Sequence, residues 1–267
     1  MVRLSVNEVT TYRWTFEEDV THYQAAGISA MGVWRQKLSD FGEEKGIELL
    51  QETGLQESNL LWAGGFTGSD GRSFRDSITD GIEAIRLAAA MKAECLVVYS
   101  GSRGGHTHNH ARRLFIEAIS SLIPHAAEHG VPLAIEPMHP DCAADATFLT
   151  ELDDVLEVLD KLDSPEAGLV FDTYHLGFNG SVLERIPEII DRIRIVHLGD
   201  GKEPPEREQN RCRLGDGVIP LQEIIRALTA AGYSGYYDVE LIGEDVSGED
   251  YHELIQQSKQ TFEALRG

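Results

Sequence analysis

Four apolar runs in the second half of the chain each stop on a side chain that can bind a cation or move a proton. They are Val131-Pro-Leu-Ala-Ile-Glu136, Gly168-Leu-Val-Phe-Asp172, Arg192-Ile-Arg-Ile-Val-His197 and Gly235-Tyr-Tyr-Asp-Val-Glu240. If the runs are parallel strands, their C-terminal ends lie on one face, and residues far apart in sequence converge there. A lone acid at a strand end usually caps a loop or joins a surface ion pair. Four on successive strands point instead to a shared ligand. Glu136, Asp172, His197 and Glu240 together form a hard, oxygen-rich donor set that suits one divalent ion. Mn²⁺, Mg²⁺ and Co²⁺ fit best, and the set does not exclude Zn²⁺. Asp238 lies on the same strand face two residues before Glu240 and ranks second because it sits deeper.

Such a site is suited to proton transfer beside a carbonyl. A divalent ion near a ketose carbonyl and its neighbouring hydroxyl acidifies the C–H between them and stabilises the resulting enediolate. Glu136 and Glu240 form the acid/base pair and share ligand duty. With one on each side of the substrate, a proton removed from one face returns on the other and a carbon is inverted. A single base working on one face moves the carbonyl instead. The same intermediate can expel a β-substituent, so a dehydratase or lyase acting on a keto-sugar or keto-inositol is the alternative.

Several residues are candidates for touching a polyol. Arg213, in the loop Arg207-Glu-Gln-Asn-Arg-Cys-Arg-Leu-Gly-Asp-Gly217, offers a fork for hydroxyls or phosphate. His175, three residues after Asp172, is placed to bind a substrate oxygen or to orient a ligand. Trp34 and Trp62 end two earlier apolar runs and offer flat walls of the kind sugar pockets use. The stretch Arg103-Gly-Gly-His-Thr-His-Asn-His110 offers His106 and His108. A second metal site there lacks a nearby carboxylate or cysteine, so substrate contact is favoured. Asn109 reads as a helix cap.

The elements that would position these residues alternate regularly. Short runs at Leu4–Val6, Ala30–Trp34, Ser58–Trp62 and Cys95–Tyr99 precede the four already named, and a stretch of helical period follows each. Thr15 and Glu18 are spaced as a capping box before a helix at Phe16. Further helices are expected at Ser77–Met91, Asn109–Glu128, from Thr150, at Val182–Ile190, behind Pro220, and from the Ser247–Asp250 cap to Leu265. Eight strand–helix units in 267 residues close naturally into one (β/α)8 barrel, read here as a single domain spanning 1–267. The active face is then the one where the strands end.

Composition narrows the partners. Lys plus Arg number 23 against 45 Asp plus Glu, a net charge of −22. That field repels nucleic-acid backbones and anionic membranes. Cys95, Cys142 and Cys212 form no CxxC pair, as expected in a reducing compartment. The first residues lack an apolar signal core, and no stretch approaches the ~20 apolar residues of a membrane span. The expectation is a cytoplasmic protein acting on a small sugar or polyol, without nucleic acid or membrane as partner; homo-oligomerisation is compatible with it. No dinucleotide or Walker fingerprint is present.

The motifs Ala134-Ile-Glu136-Pro, Val170-Phe-Asp172-Thr-Tyr-His175, Val196-His197-Leu-Gly-Asp200, Arg213-Leu-Gly-Asp-Gly217 and Val239-Glu240 resemble the sugar isomerase/epimerase family of xylose-isomerase-like TIM barrels. Tagatose/psicose 3-epimerases, hydroxypyruvate isomerases and inosose dehydratases are similar proteins. The resemblance implies a metal held by Glu136, Asp172, His197 and Glu240, with both glutamates catalytic and His175 and Arg213 on the substrate. The family's arginine follows the histidine more closely than Arg213, which is 16 residues past His197, so Arg207 and Arg211 are alternatives. A related barrel endonuclease uses additional histidines for three zinc ions, but the acidic charge argues against that activity. A non-catalytic sugar-binding barrel would not need the glutamate pair.

Overall fold

The computed structural model describes residues 3–143 and 145–266. Eight parallel strands, each paired with the next and the last with the first, close a barrel: β1 (Arg3–Asn7), β2 (Ala30–Trp34), β3 (Gln56–Ala63), β4 (Leu96–Val98), β5 (Leu133–Ile135), β6 (Ala167–Asp172), β7 (Ile193–Leu198) and β8 (Tyr236–Val239). Helices wrap the outside. Their apolar stripes pack on the outward-facing strand residues, as with Ile85, Ala88 and Phe115, which share one buried cluster with Leu60, Leu96 and Val98.

Helix starts follow side-chain capping. Thr15 and Glu18 form the expected reciprocal box at Phe16–Ala25. The long helix expected from Ser77 begins a turn earlier, at Phe74, because Ser73 and Asp76 form a second box. Thr107 rather than Asn109 caps the helix His108–His129. The single helix expected after β2 is two, Arg35–Phe41 and Glu43–Thr53, broken at Gly42 (φ 106°). Among the described residues, no helix is long and apolar enough to cross a membrane.

Asp238 belongs to the filling of the barrel. Its carboxylate accepts from Ser5 Oγ (2.6 Å), Asn7 Nδ2 (2.7 Å) and Asn59 Nδ2 (2.7 Å). With both oxygens taken inside a layer drawn from β1, β3 and β8, it forms a floor beneath the open face.

Candidate active site

The strand register assembles the site. Asp172 on β6 is the lateral partner of His197 on β7. Glu136 and Glu240 each lie one residue past their strand and extend the ladder by one bond. The Glu136 amide donates to the Val98 carbonyl (3.3 Å) and the Glu240 amide to the Leu198 carbonyl (3.0 Å). His197 is in turn the lateral partner of Asp238, so the cluster lies directly against that floor, with Glu240 two residues further along β8's direction.

Glu136, Asp172 and His197 each present a ligand atom within 4.8 Å of the others. His197 Nδ1 lies 3.4 Å from Glu136 Oε1, 3.9 Å from Asp172 Oδ2 and 3.0 Å from Glu240 Oε2. Yet both ring nitrogens of His197, together with Glu136 Oε2 and Glu240 Oε2, are buried without a hydrogen-bond partner. Leaving one such atom unpaired typically costs about 1–3 kcal/mol. Partnerless carboxylate oxygens on Glu136 and Glu240 beside a partnerless nitrogen of His197 fit a divalent cation, with carboxylate oxygens and one imidazole nitrogen as ligands.

Arg211 braces the cluster. Its side chain is fully buried, with Nη1 2.9 Å from Asp172 Oδ2 and Nη2 3.1 Å from Glu240 Oε1. Gln209 Oε1 accepts from Nε (3.0 Å) and Nη2 (2.8 Å), and the guanidinium lies 4.9 Å over the Tyr174 ring. The second oxygen of Asp172, Oδ1, accepts the amides of Tyr174 (2.7 Å) and His175 (3.0 Å). Asp172 is thus fixed from both sides.

These neighbours divide the two glutamates. Burial pushes Glu136 up to about 7, against the downward pull of His197. Burial would raise Glu240 as well, but Arg211 and His197 outweigh it and hold that carboxyl down at about 2. Burial holds His175 down to about 4, so its imidazole is neutral at ordinary pH.

A cavity of about 540 Å³ opens over Glu240, with Trp62, Tyr99 and Met138 among its walls. Trp34 borders the adjoining cavities of about 790 and 430 Å³. His175 packs beside Arg211, its Nε2 3.4 Å from Nη2, and takes the His139 amide on Nδ1 at 3.2 Å. Arg213, expected at the substrate, lies away from the cluster, with Nε 3.2 Å from Glu249 on the surface. The cause is Asp200, whose carboxylate collects the amides of Gly215 (2.9 Å), Gly217 (3.1 Å) and Ile219 (3.4 Å) and so wraps the chain past Arg213.

The histidine stretch also lies elsewhere. His106 Nε2 meets the Thr67 carbonyl at 3.2 Å, and His108 stands edge-on to Phe148, 5.6 Å between ring centroids. Neither residue lines the cavity over Glu240. Glu8, which no motif in the sequence picks out, is a fourth acid at a strand end. It is buried, and its Oε2 takes the Trp34 amide at 2.7 Å. The apolar run before it is short, and that weakened the signal.

The family model described as "Xylose isomerase-like TIM barrel" matches residues 20–266. An inosose isomerase from Bacillus licheniformis is 30% identical over 151 residues, 55% of this chain and 52% of that protein. The chain thus spans about half the length of the curated relatives it matches. Among solved structures, protein SMc04130 from Sinorhizobium meliloti 1021 is 31% identical, with 98% of each chain covered and a TM-score of 0.91. An IolI protein with a bound zinc atom shares the fold at 20% identity, covering 99% of this chain and 98% of that one, with a TM-score of 0.85.

Proposed function

Because the chain belongs to the xylose isomerase-like TIM barrel family, we propose that it is a divalent-metal-dependent isomerase or epimerase of ketoses, inososes or related polyols. The observation that carries this reading is the convergence of Glu136, Asp172 and His197, joined by Glu240 at 3.0 Å from His197 Nδ1, with buried polar atoms of Glu136, His197 and Glu240 left partnerless. The similarity to inosose isomerases supports the substrate class.

A divalent cation held by these four residues would supply positive charge beside the substrate carbonyl. Mn²⁺, Mg²⁺ and Co²⁺ suit the donor set, and the zinc in the IolI structure makes Zn²⁺ a fourth candidate. The chain's own groups do the rest. Glu240, ionised and facing the cavity, takes the proton from carbon. Glu136, which burial keeps near its titration point at neutrality, returns one. Arg211 holds Asp172 and Glu240 in place, and Trp62 and Tyr99 wall the substrate from water.

The test is deuterium exchange from D₂O into a panel of ketoses and inososes incubated with metal-loaded enzyme. Label in a rearranged or inverted product supports the proposal. A rising enone absorbance or a released substituent would assign elimination instead. Glu240→Gln should keep the fold and reduce exchange by about 10²–10⁴-fold. Unaltered exchange in that variant would remove Glu240 from the chemistry.

A further inference from the structure

We infer that the site takes an unphosphorylated polyol, and that Asp70 and Asp80 enforce this by occupying Arg72, the one cation among the described residues that line the cavity over Glu240. The inference rests on the isomerase or epimerase reading and goes on to name its substrate class.

A ketose whose carbonyl lies at Glu240 must extend into the cavity above it. The charged residues lining that cavity are Glu240, Asp70, Asp145 and a single cation, Arg72. Phosphate recognition relies on the parallel N–H donors of a guanidinium fork. Every nitrogen of Arg72 is engaged. Nε donates to Asp70 Oδ2 (2.7 Å), Nη1 to Asp80 Oδ2 (2.8 Å) and Nη2 to the Gly64 carbonyl (2.8 Å). Nη2 also lies 2.7 Å from Asp70 Oδ2. The other oxygen of Asp80 pairs with Arg35 at 2.8 Å, so a second nearby arginine is neutralised as well.

The larger neighbouring cavity is acidic. It shares Gln209 and Ile242 with the first, and its lining holds two cations, Lys202 and Arg207, against five carboxylates. Lys202 is 2.6 Å from one of these, Asp245. Across the whole chain the charge is −22, so the long-range field also opposes a dianion. Uncharged hydroxyls meet no such penalty, and the flat faces of Trp62 and Tyr99 suit a sugar's C–H surface.

The experiment compares matched pairs on the metal-loaded enzyme: D-allulose with its 6-phosphate, and L-ribulose with its 5-phosphate. Deuterium exchange is the readout. The free ketose should exchange with a kcat/KM at least about 10-fold above its ester. In Asp70→Asn/Asp80→Asn, which frees Arg72, the ester-to-free ratio should rise about 10-fold, and adding Arg72→Gln should cancel the rise. Equal or better use of the esters by the wild-type enzyme overturns the inference while leaving the isomerase reading intact. An unchanged ratio in the double variant overturns the role given to Asp70 and Asp80. Absence of exchange with every ketose, inosose and ester overturns the isomerase reading and the inference with it. If the double variant does not fold, the wild-type comparison still decides the substrate class.

Discussion

Arg211 Nη1 and Asp172 Oδ2 lie 2.9 Å apart with neither side chain exposed, and the same guanidinium reaches Glu240 Oε1 at 3.1 Å. One buried cation therefore spans two of the four converging ligands. Without it, three carboxylates would face one another in a dry interior. Arg211→Met should destabilise the protein by about 3–5 kcal/mol, the usual cost of removing one partner of a buried ion pair. Arg211→Lys should recover part of that stability but little activity, because a compact ammonium does not reproduce the planar fork that spans Asp172, Glu240 and Gln209 together. Urea denaturation and exchange kinetics on the two variants check this. Full activity in the methionine variant would remove the bracing role.

Room for Arg211 depends on Gly199. A Cβ there would sit 2.6 Å from Nη1 and 3.1 Å from the Glu240 carbonyl oxygen. Gly199→Ala should therefore push the guanidinium off its two carboxylates. Misplacement by about 1 Å can cost about 100-fold in rate. The expected result is a fall in kcat of that order with a smaller loss of Tm, measured by steady-state kinetics and calorimetry.

Metal removal should abolish activity, and adding back a divalent ion should restore it. Binding should also raise Tm, since an ion present at 100 times its Kd stabilises the folded state by about 2.7 kcal/mol. Asp172→Asn and His197→Ala should each weaken the shift by removing a ligand. A Tm that ignores chelator and Mn²⁺, Mg²⁺, Co²⁺ and Zn²⁺ alike would dismiss the cation.

At the opposite end of the barrel, burial pushes Glu57 on β3 up to about 7, with Lys92 drawing it back only in part. A carboxyl whose proton is held more tightly in the folded state stabilises fully below its unfolded value of about 4.5. That contribution is lost as pH rises through about 7. Glu57→Gln should then be more stable than wild type by about 1–2 kcal/mol at pH 8, with the difference vanishing near pH 4.5. Tm measured across that range checks the sign, and the position lies outside the proposed catalytic machinery.

Much of this architecture is legible along the chain because it depends on local pattern. Runs such as Leu169-Val-Phe171 are apolar throughout since a parallel barrel strand is buried on both faces. An acid at the end of such a run interrupts the pattern and marks the open face. Asp172, His197, Glu136 and Glu240 were visible for that reason, as was the Thr15–Glu18 box at its three-residue spacing.

Other assignments needed contacts between distant segments. Asp238 and Glu240 share a strand edge in sequence, and only the side chains of Ser5, Asn7 and Asn59 show that Asp238 belongs to the barrel filling. Arg207, Arg211 and Arg213 are equivalent as letters in a polar loop. The choice among them was made by the Arg211 amide meeting the Ile242 carbonyl at 2.9 Å and by Asp200 gathering the amides beyond Arg213. Strand ends could be read directly because hydrophobic burial repeats with the backbone's own period; the bracing cation could not, because a loop's path is set by hydrogen bonds to partners that no local spacing encodes.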